Sequence, residues 1–417
     1  MTAPFSYIGR VNRRRFLQAT GALLGALASR GAAPSAGAQS TMERDDPPGS
    51  VTLFFGGDVM TGRGIDQILP HPSDPVLYEG YIKSSEGYVD IAERVSGPIP
   101  RSVAFDYIWG DALEALDSVR PDFRIVNLET SVTASNEPWP SKGINYRMHP
   151  GNVPALTAAG IDCCVLANNH VLDWCEAGLE ETLASLRDAG IETAGAGRTA
   201  EEAAKPAAVP LPGGGRLRVY SAGGRDSGIP PRWAAAAGKP GVNFLGGLDP
   251  ASTARFEERI RVDKRPGDLA VASLHWGGNW GYDVPEAQRT FARRLVNAGA
   301  DVIHGHSSHH AKGIEVIDGK PVICGAGDLI NDYEGIAGGN DAYRGELPLL
   351  YFVTLNAADG TLERLRMQPM RIYKFRLQRA SDSETAWLRD TLDREGRRFN
   401  TGVELSAGGM LELQWDH

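Results

Sequence analysis

Histidine and acidic residues stand where they could bind metal ions or move protons. Five of the nine histidines fall between His275 and His310, and His170 lies alone further upstream. Imidazole is the commonest metal ligand among side chains and an acid–base group near neutral pH. Asp58 and Glu129 each follow an apolar run and add carboxylates to this set. These residue types predict metal binding together with proton transfer.

The polar residues share a position, because each follows a short apolar run that predicts a buried strand. Asp58 follows the run 51–55, Glu129 follows 125–128, and Asn168 to His170 follow 163–167. In the same way His275 follows the run 269–274, and the histidines from His304 to His310 follow 301–303. Ligands of α/β proteins bind at the carboxyl ends of the strands. We therefore expect these side chains to converge on one pocket.

Each residue taken alone has an ordinary alternative. Asp58 could belong to a turn, His275 to the packed core, and Asn169 to the cap of the next helix. Residues 305–310 could form an exposed polar loop. The shared position at strand ends favours a metal site instead. Carboxylate, amide oxygen and imidazole suit Mn, Fe or Zn, and two such ions about 3.5–4 Å apart would suit a hydrolytic displacement.

The elements that must hold these residues alternate between strands and helices. Apolar spacing predicts helices over residues 106–119, 152–159, 175–189 and 285–297, and a polar helix over 383–397. Strands dominate after residue 313, and Asp318-Gly319 marks a hairpin between two of them. Residues 66–105 are rich in Pro, Gly and Ser, which predicts an insertion or lid. The whole pattern favours an α/β core with mixed sheets.

The first 38 residues have the order of an export signal. The paired arginines Arg13 and Arg14, followed by Phe16 and Leu17, precede a short apolar stretch and Ala36-Gly37-Ala38. This order is typical of a twin-arginine signal peptide, and it predicts a location in the periplasm or on the outer face of the cell membrane. The segment carries five Arg and no acid, so its removal changes the net charge from −9 to −14. Such an acidic protein is not expected to bind nucleic acid.

Four motifs resemble those of the CapA family, the bacterial poly-γ-glutamate capsule synthesis proteins. They are Gly57-Asp58-Val59-Met60, Asn127-Leu128-Glu129, Ala167-Asn168-Asn169-His170 with Asp173, and Gly305-His306-Ser307-Ser308-His309. That family is a divergent branch of the calcineurin-like metallophosphatases. The resemblance implies a four-layer αββα sandwich with mixed sheets. The metallophosphatase-like domain is expected at 51–375. The polar composition of residues 39–50 predicts a linker, and residues 376–417 are expected to form a C-terminal helix and tail.

The resemblance also implies a binuclear site of two divalent ions, Mn, Fe or Zn. Asp58 would bind the first ion, Glu129 would stand where the bridging acid belongs, and Asn169 would bind the second ion. The histidines that complete the two shells would be His275, His306 and His309. His170 would be the neighbouring acid, oriented by Asp173. The pattern of the metallophosphatases has a histidine two positions after the aspartate, where this chain has Met60, so we expect one imidazole fewer.

Two functions follow from these residues and from the resemblance. The first is a metal-dependent hydrolase of the phosphoester type, in which His170 donates a proton to the leaving group. Arg63 and Arg147 would hold the anionic substrate, because guanidinium groups pair well with carboxylate and phosphate. The alternative is a non-catalytic envelope factor that assembles, tethers or exports an anionic polymer. Other membrane proteins of capsule synthesis would be its partners.

Overall fold

The computed structural model describes residues 46–336 and 340–416. The expected signal peptide, and the first part of the expected linker, lie outside the described residues. Within the described part of the chain, no helix combines the length and the apolar character needed to cross a membrane.

The described residues contain twenty-one β-strands. They are β1 (Ser50–Val59), β2 (Phe123–Leu128), β3 (Ser131–Val132), β4 (Arg147–Met148), β5 (Cys163–Val165), β6 (Glu192–Ala194), β7 (Ala196–Gly197), β8 (Ala207–Pro210), β9 (Arg216–Gly224), β10 (Gly241–Val242), β11 (Phe244–Leu245), β12 (Leu269–His275), β13 (Val302–His306), β14 (Ile314–Ile317), β15 (Lys320–Ile323), β16 (Asp328–Ile330), β17 (Leu349–Asn356), β18 (Leu362–Ile372), β19 (Leu377–Arg379), β20 (Thr401–Leu405) and β21 (Leu411–Trp415). The strands expected from the apolar runs are all present: β1 is five residues longer than its run, β2, β12 and β13 are one or two residues longer, and β5 is two residues shorter.

Nine α-helices lie among the described residues. They are α1 (Gly64–Ile68), α2 (Glu86–Ser96), α3 (Ala112–Val119), α4 (Pro154–Ala158), α5 (Cys175–Asp188), α6 (Ala200–Ala204), α7 (Pro250–Asp263), α8 (Glu286–Ala298) and α9 (Asp382–Gly396). Helix α2 lies inside the stretch that the sequence indicated as a loop-like insertion. It forms there because Tyr88, Val89 and Ala92 share one face and are buried.

Two mixed sheets hold the strands of the core. The larger has the order β20-β21-β18-β17-β1-β2-β5-β6, with β16 beside β1 and β19 beside β18. The smaller has the order β11-β9-β12-β13-β15-β14, with β8 beside β9. In the larger sheet β1, β2, β5 and β6 run parallel, and in the smaller β9, β12 and β13 do so. The pairs β3–β4 and β7–β10 form separate two-stranded sheets.

The two sheets pack face to face between two layers of helices. Along β1, Leu53 and Phe55 belong to the core between the sheets, whereas Phe54 faces the core under helices α1 to α5. Along β12, Val271 faces the other sheet and Ala272 faces the core under α7 and α8. Alternation of this kind is what strand geometry requires when both faces are covered. The expected four-layer αββα sandwich is confirmed.

The segment after α9 departs from the expected helix and tail. It forms the hairpin β20–β21, and β21 pairs with β18 through Arg366 and Met367. Val403, Leu411 and Leu413 are buried in the core between the sheets. The alternation of apolar and polar residues over 401–405 and 411–415 is the signal for these strands. The C-terminal segment is therefore an integral part of the larger sheet.

Candidate metal centre

Polar side chains from both sheets meet at the carboxyl ends of the parallel strands. Asp58 lies at the end of β1 and Glu129 directly follows β2, while His275 and His306 end β12 and β13. The sheets bring the Asp58 Oδ1 and His306 Nδ1 atoms to 3.7 Å of one another. All four side chains are buried. The convergence expected from the strand-end positions is present in the structure.

One group of potential ligands consists of Asp58, His275 and His306, whose ligand atoms all lie within 4.8 Å of one another. The Nδ1 atoms of the two histidines are 2.9 Å apart. Two residues border this group at His275 Nε2, with Asn169 Oδ1 at 3.0 Å and Glu129 Oε1 at 3.9 Å. The group and its two bordering residues thus bring together carboxylate, imidazole and amide oxygen.

A second group shares Asp58 and adds His309 and Asp328. His309 Nδ1 lies 2.8 Å from Asp328 Oδ1, and Asn331 Nδ2 donates to Asp328 Oδ2 at 2.7 Å. Asp328 enters the site because β16 runs parallel to β1 with Asp328 opposite Asp58. Asp328 was not expected as a ligand from the sequence. Its one local signal is an acidic residue at the start of the short apolar run 328–330.

Two asparagines hold the carboxylates in place. Asn127 Nδ2 donates to Asp58 Oδ1 at 2.8 Å and lies 3.2 Å from Glu129 Oε2. Asn168 Nδ2 donates to Asn127 Oδ1 at 3.0 Å, and Asn168 Oδ1 accepts from the backbone N–H of His170 at 3.1 Å. Residues behind a ligand orient it and tune its basicity. Asn168 was expected near the pocket from its position after an apolar run, but this orienting role was not expected of either asparagine.

Ser307 ties the two sheets together at the site. Its backbone N–H donates to Asp58 Oδ2 at 3.2 Å, and its φ angle is 98°. A positive φ at a residue other than glycine costs of order 1–3 kcal/mol and persists only when its surroundings impose it. The strained backbone directly after β13 therefore serves to aim this N–H at the shared carboxylate.

Burial shapes the acidity of the carboxylates in the site. Burial, reinforced by the neighbouring Asp328 carboxylate, raises the pKa of Asp58 to about 7. Burial and the charge of Asp58 raise the pKa of Glu129 well above its usual range. Crowded buried carboxylates repel one another and cannot all ionise cheaply. A cation between these carboxylates would strongly stabilise their ionised forms.

The pKa values of the histidines in the site are shifted in opposite directions. Burial holds the pKa of His275 and of His306 well below the usual value, so both imidazoles are neutral, the form that binds metal. Burial also acts to lower the pKa of His309, but the Asp328 carboxylate outweighs it and raises that pKa. Neutral imidazole, carboxylate and amide oxygen form a donor set that fits divalent Mn, Fe or Zn. The residues present therefore fit a metal centre.

His170 and Asp173 form a hydrogen-bonded pair beside the two ligand groups. His170 Nδ1 lies 2.7 Å from Asp173 Oδ2, and His170 Nε2 lies 3.9 Å from Glu129 Oε1. Burial lowers the pKa of His170 to about 4, although the Asp173 carboxylate acts to raise it. Lys142 Nζ pairs with Asp173 Oδ1 at 2.5 Å, and the Tyr146 ring packs edge-on against His170. The imidazole is thus neutral, with Nδ1 bound to Asp173.

The two arginines expected to hold substrate are bound to other groups. Arg63 is buried, donating through Nε to Asp332 Oδ2 at 3.2 Å and through Nη1 to Glu79 Oε1 at 3.0 Å. Arg147 donates to the carbonyl oxygens of Ser135 and Asp74, and its guanidinium lies 3.9 Å from the centre of the Trp174 ring. Both have evident structural partners in the described residues, and binding of substrate by either stays a prediction.

Comparison with known sequences identifies the family. The profile described as "Bacterial capsule synthesis protein PGA_cap" matches residues 52–333, more than half of the chain. The chain belongs to this family. The resemblance to CapA proteins seen in the four motifs is thereby confirmed.

Relatives of this PGA_cap chain come from several bacteria. A "Probable polyglutamine synthesis accessory protein" of Mycobacterium tuberculosis is 46% identical over 369 residues, which cover 88% of this chain and 96% of the relative. The "PGA biosynthesis protein CapA" of Bacillus subtilis is 27% identical over 284 residues, covering 68% of this chain and 63% of the relative. Among solved structures, the NAD nucleotidase of Haemophilus influenzae matches with a TM-score of 0.41 and 10% identity, covering 83% of this chain and 62% of that one.

The predicted ligand residues of this PGA_cap chain lie around one cluster. Asp58, His275, His306 and His309 fall into the two ligand groups, with Asn169 and Glu129 at their border. The structure adds Asp328, which supplies the second group with another carboxylate. Their roles as ligands remain predictions to be tested with metal.

Proposed function

We propose that this protein is a metal-dependent hydrolase of the phosphoester type that acts in the biosynthesis of an anionic capsule polymer. The observation that carries the proposal is the shared carboxylate, because Asp58 belongs to both groups of potential ligands. A carboxylate between two ligand groups is the arrangement of two-metal hydrolases. The names of the relatives, which refer to synthesis of polyglutamine and of PGA, support the polymer.

Each group of residues has a distinct part in the proposed reaction. Asp58, His275 and His306 would hold one ion, and Asp58, His309 and Asp328 a second. Bound divalent ions would supply positive charge and Lewis acidity to the ester. His170 would accept and return a proton at Nε2, since its Nδ1 is bound to Asp173. Asp173 keeps the ring in that orientation.

A direct test measures metal content and turnover together. Wild type, Asp58→Ala and His170→Ala are loaded with Mn, analysed for metal per chain, and assayed with a phosphodiester and a phosphomonoester. His71→Ala, which changes an exposed histidine outside the cluster, is the matched control. We expect Asp58→Ala to lower both metal affinity and turnover by more than about 100-fold. A loss of roughly 100-fold is the upper range when a residue that only hydrogen-bonds to a metal ligand is changed. His170→Ala should keep its metal and lose turnover.

Two outcomes separate hydrolase from binding factor. Equal turnover in wild type, Asp58→Ala and His170→Ala would refute hydrolysis at this site. If wild type binds metal and polymer but hydrolyses neither ester, the alternative of a non-catalytic factor that assembles, tethers or exports the polymer, together with membrane proteins of capsule synthesis, would replace our proposal.

We also propose that the protein acts outside the cytoplasm, in the periplasm or on the outer face of the membrane. Support comes from the order of basic residues, apolar stretch and small residues within the first 38 positions. A capsule polymer is assembled at the cell envelope, so the proposed place and the proposed substrate agree.

A further inference from the structure

One edge of the metal centre carries interleaved cationic and aromatic side chains, which we call the basic rim: Trp139, Lys142, Arg232, Trp233 and Lys239. The rings of Trp139 and Trp233 meet edge to face at 5.3 Å. The Arg232 guanidinium lies 5.7 Å from the centre of the Trp139 ring, and Lys142 Nζ lies 5.5 Å from that of Trp233. Contacts at this range hold a cation in place without neutralising it.

The basic rim adjoins the residues assigned to the reaction. Lys142 Nζ is 3.1 Å from His170 Nδ1 and pairs with Asp173 Oδ1. The backbone N–H of Trp139 donates to the carbonyl oxygen of Asp173 at 2.8 Å. A ligand lying along the rim would therefore reach the metal centre beside His170.

The positive charge of the rim is left unbalanced at its outer end. Arg232 and Lys239 form no ion pair with any acid among the described residues, and the Lys239 ammonium donates instead to the carbonyl oxygen of Arg232. Some exposed arginines elsewhere have acidic partners, as Arg187 has Asp188, whereas Arg255 and Arg265 are exposed without one in the described part of the chain. The rim differs from such isolated cations because it lies beside His170 and Asp173. In a chain of net charge −9, unpaired cations beside the site give it a local attraction for anions.

We propose that the basic rim binds a polymer with one carboxylate per residue and guides it to the metal centre. This inference rests on the proposed function and adds the surface that would hold the polymer beside the site. Arg232 and Lys239 would pair with carboxylates, and the partly buried ring of Trp139 would pack against amide planes and methylene groups of the chain. A polyphosphate offers charge but little apolar surface for this ring, so the rim favours the polycarboxylate.

The test measures binding directly, without turnover. Fluorescein-labelled poly-γ-glutamate is titrated with wild type and with the double variant Arg232→Gln, Lys239→Gln, and fluorescence anisotropy is recorded. The matched control is Arg255→Gln, Arg265→Gln, which removes two exposed cations. Arg265 precedes β12, whose other end carries His275, so the control lies away from the site. Polyphosphate of matched charge, and poly-γ-glutamate with its carboxylates amidated by ethanolamine, serve as comparison probes.

We expect the rim variant to bind poly-γ-glutamate about three- to tenfold more weakly than wild type, as the loss of two exposed ion pairs implies. The affinity of the control variant for poly-γ-glutamate should differ from that of wild type by less than about twofold. The amidated polymer should bind neither wild type nor the rim variant. Equal losses in the rim and control variants would overturn the proposal, because they would show a response to net charge alone. Polyphosphate binding as tightly as poly-γ-glutamate, with the same loss in the rim variant, would overturn the carboxylate assignment.

The outcomes keep the two proposals apart. A protein that binds the polymer through the rim but hydrolyses no ester refutes the hydrolase and leaves the rim intact. A protein that hydrolyses esters with Mn, while its rim variant binds the polymer like the control, refutes the rim alone.

Discussion

At the scale of single residues, the metal centre is a set of buried charges that are costly until a cation joins them. Asp58 lies 0% exposed between two groups of ligands, and its environment favours the protonated acid. Buried carboxylates without a cation subtract from stability. The residues that perform the proposed chemistry are therefore the ones that make the metal-free protein least stable.

The pH dependence of the metal-free protein should reveal this cost. The pKa of Asp58 is raised by burial from 3.8 to about 7, so between these values the folded state binds more protons than the unfolded state. Its contribution to stability therefore falls as the pH rises from about 4 to 7. In chelator, Asp58→Asn should gain stability relative to wild type across this window, by a few kcal/mol at its upper end.

Thermal unfolding of wild type and of Asp58→Asn in chelator, from pH 4.5 to 7.5, checks this prediction. Asp188→Asn, at an exposed position, is the control and should track wild type at every pH. A constant difference in melting temperature between wild type and Asp58→Asn would contradict the raised pKa.

Asp173 provides a second prediction at this scale. Asp173→Asn keeps the size of the side chain but removes the charge that orients His170 and pairs with Lys142. We expect kcat to fall by about 10²- to 10⁴-fold, as when a general acid–base group is misplaced. Metal per chain should stay unchanged, because Asp173 belongs to neither ligand group. Unchanged kcat with full metal content would remove Asp173 from the mechanism.

At the scale of elements, the site depends on close approach of strands. The end of β1 lies against the chain that enters β16, where the backbone N–H of Asp58 donates to the carbonyl oxygen of Gly327 at 3.0 Å. Gly57 has no side chain at this contact. A Cβ atom there would lie 1.7 Å from the Gly327 oxygen. The contact is what sets Asp58 opposite Asp328.

Substitution at this contact should therefore be severe. Gly57→Ala should destabilise the protein by several kcal/mol, at the extreme end of single changes, because backbone must move to admit the methyl group. Gly80→Ala is the matched control, since a Cβ at Gly80 meets nothing within 4 Å. Chemical denaturation of both variants measures the difference. Similar midpoints for the two would show that β1 and β16 can separate without cost.

At the scale of the whole molecule, two sheets from different parts of the chain close around one site. The larger sheet supplies Asp58, Glu129 and Asp328, and the smaller supplies His275 and His306. Neither sheet holds a complete ligand group, because the first group combines residues from both sheets and the second takes His309 from the loop after β13. Proposed metal binding and sandwich assembly are therefore coupled, and bound metal should raise the melting temperature.

Export is the prediction that concerns the chain as a whole. Residues 1–38, fused to a reporter that is active only outside the cytoplasm, should direct its export. Replacing both Arg13 and Arg14 with Lys should abolish it, because the twin-arginine pathway requires this pair. Arg30→Lys, a change of the same type within the segment, should leave export intact. Export of the double variant at the wild-type level would contradict the twin-arginine assignment.

Several features of the fold and site were visible in local pattern. Apolar runs marked the parallel strands, and polar residues directly after them marked the edge where Asp58, Glu129, Asn169, His275 and His306 meet. This works because strands bury their apolar residues and parallel strands end at a common edge. The alternation of apolar and polar residues along 401–415 also indicated the last hairpin, although this segment was interpreted as a tail.

Other features came only from contacts between distant segments. Asp328 became a potential ligand because β16 pairs with β1, a pairing that no local pattern specifies. Arg63, expected to bind substrate, pairs with Asp332, 269 residues away. The basic rim likewise joins residues 139–142 to 232–239. Composition and periodicity report which residues are buried, but the partner of a buried charge depends on which strands pair and how the two sheets pack.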